Sequence, residues 1–96
     1  MIGVTNINGL QKVERIVVRI YGVSVSYLEA KRLHHSQNII TDTETDEHTD
    51  FEFKLINNYE FRSKILALGA NAEVMEPEYL REDFKIMIQN LNNRYL

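Results

Sequence analysis

The chain is expected to fold as an α+β domain, an antiparallel sheet in the order βαββαβ with one additional helix at its C-terminal end. Three observations carry this expectation. Period-two alternation of apolar residues marks strands at Val13–Tyr21 and His48–Ile56. Spacing of three and four marks helices through Phe61, Ile65 and Leu68, and again through Leu80, Phe84, Met87, Ile88, Leu91 and Tyr95. Gly22, Asn57, Asn58, Gly69 and Pro77 punctuate these runs.

Taken in order, residues 1–11 hold no sustained period and contain Gly3, Asn6, Asn8 and Gly9. They are expected to form a linker or N-terminal arm, leaving 12–96 as a single domain. In the first strand Ile16, Val18 and Ile20 alternate against Val17 and Arg19, so one face is wet. Gly22 breaks that strand. Residues 23–32 then suit a short helix, for which Ser26 and Glu29 offer an alternative start by a capping box. The second strand is expected over 38–44, with Ile39, Ile40, Thr41 and Thr43. The third places Phe51, Phe53 and Leu55 on one face and Glu52 and Lys54 on the other, which sets its register. The polar residues 45–47 form the hairpin tip between them.

Asn57 and Asn58 are good helix caps for the run YEFRSKILAL at 59–68. Gly69 can close this helix in the left-handed conformation that residues with a Cβ avoid. Residues 72–75 supply a fourth strand, and Pro77 suits the first turn of a helix because its N–H is absent and its φ is fixed. Glu76, Glu78, Glu82 and Asp83 place negative charge near that helix's positive end. Its apolar stripe is expected to be buried along its length. Two βαβ-like halves within a hundred residues are the pattern of a ferredoxin-like fold. The last helix is surplus to that core. Its stripe therefore needs a groove on its own sheet or on another subunit, which makes Phe84, Ile88, Leu91 and Tyr95 a candidate oligomer interface.

Composition bounds the function. The 96 residues are 44% apolar and 26% charged, ordinary for one globular domain and too few for two. No apolar run approaches the roughly 20 residues that cross a bilayer, and the N-terminus resembles no secretion signal, so no membrane partner and a cytoplasmic location are expected. Without cysteine there is neither a disulfide framework nor a thiolate site. Six of the acids lie within 42–52, a stretch with no lysine or arginine, leaving eleven basic against eight acidic groups elsewhere. These six are expected to solvate a hairpin tip and to repel phosphate backbones. A nucleic acid would instead meet Lys12, Arg15, Arg19, Lys31, Arg32, Lys64 or Arg81.

No catalytic constellation emerges, and neither enzyme activity, a cofactor nor a metal is expected. A phosphate-cradling loop with a nearby arginine is absent after the first strand, where YGVSVS holds one glycine. Ser36 adjoins His35, but neighbours on an extended chain point to opposite faces. His34, His35 and His48 lack the spacing that brings two imidazoles to one helical face. An RNA-recognition-like or small-ligand-binding module is the alternative, because Phe51 and Phe53 fall on the third strand. HTDFEFKL carries acids and no glycine there, so these rings are expected in the core.

Two blocks carry a family resemblance. One runs Gly69, Ala72, Val74, Pro77, Leu80, Arg81 and Tyr95. The other runs Tyr27, Leu28, Leu33, His34, His35, Ser36 and Gln37, with Arg32 where a proline is common. Together they resemble the C-terminal extension (WCX) domain of WYL-type bacterial transcriptional regulators over 12–96. The resemblance implies a regulatory domain, homodimeric, attached to N-terminal winged-helix and WYL domains, with a nucleic-acid or nucleotide effector. It implies that Arg81, His34, Ser36 and Gln37 contact effector or neighbouring domain, Arg81 reaching outward or else bracing Glu76, Glu78 or Asp83. Ile2, Gly3 and Val4 resemble the connection from a WYL domain, so the chain is expected to be part of a longer protein. Lacking a helix-turn-helix pattern and the WYL tripeptide, it should bind no operator alone.

Overall fold

Strand β1 (Val13–Tyr21) alternates strictly enough to assign each face of the sheet a different chemistry: Ile16, Val18 and Ile20 on one side, Arg15, Val17 and Arg19 on the other. In the computed structural model, which describes residues 12–95, β1 lies inside the sheet. It pairs antiparallel with β3 (His48–Ile56) along its whole length and with β4 (Ala72–Glu76) on its other side. Strand β2 (Asn38–Ile40) pairs with β3, giving the order β2-β3-β1-β4. With helices α1 (Ser24–Ala30), α2 (Tyr59–Leu66) and α3 (Glu78–Arg94), this is the ferredoxin-like order plus a C-terminal helix. The expected arm at 1–11 lies outside the described residues.

The apolar face of the sheet meets all three helices. Ile16, Val18, Ile20, Phe51 and Phe53 are fully buried with Leu28 of α1, and Phe61 and Ile65 of α2 close over them. Leu80 and Phe84 of α3 complete the cluster. The Phe53 and Phe61 rings meet edge to face at 5.2 Å, a favoured geometry for two quadrupoles. Phe51 and Phe53 thus face the helices, which removes the stacking platform that the RNA-binding alternative requires.

Several boundaries differ from expectation for local reasons. Strand β2 stops at Ile40 and yields to a 3-10 turn at Thr41–Thr43, because the Thr43 hydroxyl donates to Asp50 of β3 at 2.7 Å and turns the chain across its partner. Helix α1 occupies only Ser24–Ala30 and bypasses the Ser26 capping box. Gly22, at φ 61°, lets the chain turn at once, and its carbonyl accepts from the Val25 N–H. Arg32 lies beyond the helix, its guanidinium donating to the carbonyls of His35 and Gln37. Helix α2 ends at Leu66, and Gly69 at φ 62° opens a second 3-10 turn leading into β4. Pro77 precedes α3 as its cap, with Glu76 still in the strand.

The other face of the sheet is held by charge. Arg19 and Asp50 are register partners and form a two-pronged pair, Nε to Oδ1 at 2.8 Å and Nη2 to Oδ2 at 3.2 Å. Arg15 bridges Glu52 and Glu76 on the two neighbouring strands. Val17, between these arginines in sequence, is buried although it lies on the polar face. Two of the six acids in 42–52 are therefore fixed in sheet ion pairs instead of solvating the tip. Burial pushes the Asp50 carboxyl up, but the hydrogen bonds from Arg19 and Thr43 outweigh it and hold the group below its usual 3.8.

Burial decides which pair matters. The Asp50 side chain is 5% exposed, whereas Arg15 is 48% exposed. Arg19→Ala, which leaves a buried carboxylate short of its partner, is predicted to cost about 3 kcal/mol in urea unfolding, and Arg15→Ala under about 1 kcal/mol. Because the folded pKa of Asp50 is depressed, its stabilisation is present above 3.8 and is lost as pH falls through the folded value. That acid-side loss should shrink in Arg19→Ala.

Candidate functional site: the last helix and the loop before β2

Successive residues of a helix point about 100° apart, and the first turn of α3 uses this to attach itself in three directions. The Tyr79 hydroxyl donates to the Glu14 carboxylate at the start of β1, 2.6 Å to Oε2. Leu80 enters the core. Arg81 Nη1 turns back on β4, donating to Glu73 Oε2 at 2.8 Å and to the Val74 carbonyl at 2.9 Å. Glu73 also accepts from Tyr21 at 2.7 Å, so one carboxylate joins β1, β4 and α3. The bonds from Tyr21 and then Arg81 hold Glu73 below the usual carboxylate range. On the opposite flank Arg62 of α2 reaches Asp83 at 3.4 Å.

One turn later Phe84 is buried, and there the burial ends. Met87 is partly covered, whereas Ile88 and Leu91 are 53% and 52% exposed and Tyr95 is 86% exposed. The stripe expected to be buried throughout is thus buried only at Leu80 and Phe84. Length explains this: 17 helical residues rise about 25 Å, against about 17 Å for the five residues of β4. The helix overruns its sheet. Beside it a cavity of about 210 Å³ opens between β4 and α3, with Ala72, Val74, Phe84 and Ile88 among its lining.

The second block forms a knot before β2. Gln37, 5% exposed, accepts from the Leu33 N–H through Oε1 and donates to the Leu28 carbonyl through Nε2, both at 3.0 Å. It thereby satisfies backbone groups that the short α1 and the following loop leave open. Strand β2 pairs only with residues 50–52, and the next free N–H along β3, that of Lys54, donates to Ser36 Oγ at 2.9 Å. Ser36 Oγ lies 2.8 Å from His34 Nδ1, which also accepts from the Ser36 N–H at 3.2 Å. Nδ1 is the acceptor in this arrangement, so the neutral ring carries its proton on Nε2. Burial first, then the charges of His35 and Lys64, push the His34 pKa below 6.5.

These contacts bring His34, Ser36 and Gln37 together and leave Arg81 apart, with no hydrogen-bonding partner in common among the described residues. Arg81 braces β4 through Glu73 rather than Glu76, Glu78 or Asp83, by its Nη1, while 39% of its side chain stays exposed. The Ser36 hydroxyl accepts from the Lys54 N–H and lies against His34 Nδ1, and among the described residues no carboxylate hydrogen-bonds His34. No cluster of three metal-ligating side chains occurs among the described residues. Sequence reasoning missed Tyr79 and Glu73, which fix α3. Only the acid in alternate register on β4 hinted at the latter.

A sequence model described as the WCX domain matches residues 12–91, from the start of β1 to the outer part of α3. A search of curated proteins returns no match, and a search of solved structures returns none.

Ser36→Ala should cost about 1 kcal/mol by removing the acceptor for the Lys54 N–H. Imidazole titration by NMR should give His34 a pKa below 6.5. The sign follows from linkage: with the folded pKa depressed, the unfolded chain takes up the proton first, so stability falls as pH drops from 6.5 to the folded value. His34→Gln should flatten that part of the stability curve.

Proposed function

The chain belongs to the WCX domain family, and from that premise we propose that it is a non-catalytic regulatory and dimerisation domain of a WYL-type DNA-binding transcriptional regulator, contributing to effector sensing and subunit arrangement. WCX domains are regulatory domains of WYL-type proteins, which carry WYL and DNA-binding domains as well. The winged-helix and WYL domains are its partners in cis, and a nucleic acid or nucleotide is its effector. The domain contributes a coupling between sites, with effector binding and subunit arrangement biasing one another.

The observation that carries this reading is a helix fixed at its base and bare along its outer apolar stripe. A soluble domain rarely leaves Ile88, Leu91 and Tyr95 aligned and exposed unless something covers them. A second copy of α3 is the occupant that fits. With two such helices antiparallel and Ile88 of one set against Leu91 of the other, the exposed apolar residues of the two copies face each other. Half a helix buries less than the 1,200 Å² or so typical of a stable dimer, so this domain associates weakly and the remaining domains supply the rest. No helix among the described residues is long and apolar enough to cross a membrane.

Within this reading, Arg81 and Glu73 set the angle at which α3 leaves the sheet, and the loop holding His34, Ser36 and Gln37 lies toward the effector or a neighbouring domain. The test is the mass in solution by sedimentation equilibrium. The wild-type mass should rise with concentration toward twice the monomer. Leu91→Asp should remain monomeric while its unfolding free energy in urea changes by no more than about 0.5 kcal/mol, as expected for an exposed residue. A wild-type chain that stays monomeric at millimolar concentration removes the dimerisation half of the proposal.

A further inference from the structure

The cavity of about 210 Å³ between β4 and α3 runs along the outer edge of β4, with Phe84 and Ile88 on its helical wall and Arg81 and Lys85 at its rim. Alternation settles which backbone groups of β4 face it. On β3 the Lys54 N–H turns away from β1 toward Ser36, so Phe51 and Phe53 direct theirs to β1, and the register directs those of Val18 and Ile20 to β3. Arg19 therefore exchanges bonds with Glu73, while Ala72 and Val74 turn their N–H and C=O groups to the free edge. Of these four groups two are already taken: the Ala72 N–H donates to the Gly69 carbonyl, and the Val74 carbonyl accepts from Arg81 Nη1 at 2.9 Å. The Ala72 carbonyl and the Val74 N–H have no partner among the described residues, although Val74 is only 4% exposed. We propose that this cavity takes the C-terminal end of another polypeptide as a short parallel strand, its last N–H donating to the Ala72 carbonyl and its carboxylate accepting from the Val74 N–H and Arg81. The site goes beyond the dimerisation and effector reading above and does not draw on it.

The two open groups select the occupant. In an antiparallel addition one incoming residue bonds both groups of the residue it faces, and Ala72 and Val74 each have one group engaged. That rules against β4 of a second copy, which two-fold symmetry brings in antiparallel. In a parallel addition a single residue donates to the Ala72 carbonyl and accepts from the Val74 N–H, the two groups that are open. Such a chain runs from Ala72 toward Arg81, where the guanidinium reaching from α3 to the Val74 carbonyl closes the groove, so the chain ends there. Arg81 makes its bonds to Glu73 and Val74 through Nη1, and its Nε and Nη2 have no partner among the described residues. They suit a carboxylate. Lys85, one turn on, adds positive charge, because its pair with Glu82 at 3.4 Å is more than half exposed at both ends and worth little. Side chains alternate along a strand, so the residue before the last lies on the side of Ala72 and Val74, against Phe84 and Ile88, where an aliphatic side chain fits. An N–H left unpaired in a residue as buried as Val74 is costly, and the incoming carboxylate removes that cost. Strand addition and capture of a C-terminal carboxylate are both recurring modes of peptide recognition.

Amide spectra of the ¹⁵N-labelled chain, at a concentration where sedimentation gives the monomer mass, titrated with the peptide acetyl-Ser-Thr-Val-Ser, test the site. The free-acid peptide is expected to move the Val74 amide downfield and to leave the Thr45 amide, bonded to the His48 carbonyl at the hairpin end, in place. Its C-terminal amide should bind at least about tenfold more weakly, because the charged acceptor is lost. The peptide with Asp in place of its Val should lose as much, because it sets a charge against Phe84. Ile88→Asp, at an exposed position, should weaken binding of the free acid while the unfolding free energy in urea stays as it was. An unmoved Val74 amide, equal binding of the amidated peptide, or undiminished binding by Ile88→Asp would overturn the site. A Val74 shift that follows protein concentration and ignores the peptide assigns the groove to a second copy and overturns it as well. A chain that never dimerises removes the dimerisation reading and leaves this test unaffected.

Discussion

Everything in this domain depends on the alternation along β1. Because it pairs on both edges, each of its side chains is fixed above or below the sheet, and a slip of one residue would exchange the two sets. The side with Ile16, Val18 and Ile20 becomes the floor on which three helices pack. The side with Arg15 and Arg19 must then find carboxylates, and the register supplies Asp50 directly opposite Arg19 and Glu52 and Glu76 within reach of Arg15. Hydrophobic burial provides the stability, and the ion pairs fix which register receives it.

That division leaves α3 in an unusual position. A ferredoxin-like core of this size closes with two helices, and α3 adds only Leu80 and Phe84 to it. The polar contacts at its first turn, through Tyr79 to Glu14 and Arg81 to Glu73, set the direction in which the rest of the helix departs. The outer turns inherit that direction without burial of their own. An element fixed at one end and unsatisfied at the other suits a domain that joins larger assemblies, as membership of the WCX family implies.

Much of this was legible in the sequence, and the exceptions share a cause. Alternation in β1 and β3 and helical spacing in α2 and α3 are local signals, and the elements they announce are present. Phe51 and Phe53 lie in the core, as the acids flanking them suggested. What escaped was decided by partners distant in sequence. Strand β2 contains enough β-branched residues to continue, but Thr43 is drawn to Asp50 and the strand ends at Ile40. Asp50 and Glu52 belong to an acidic run, yet arginines more than thirty residues away remove them from it. The helical stripe of α3 was correct as a pattern, while its burial depended on the length of β4. The site residues divide in the same way: the proximity of His34, Ser36 and Gln37 follows from their adjacency, whereas the turn of Arg81 toward Glu73 had no local signal.

The central claim is that α3 belongs to its own domain at the base and to a second copy beyond Phe84. Amide hydrogen exchange read residue by residue along α3, at two protein concentrations spanning the association, measures this directly. The account predicts that the turns around Leu80 and Phe84 are protected equally at both concentrations, while those from Ile88 to Arg94 gain protection only at the higher one. Uniform protection of the whole helix in dilute solution would contradict it.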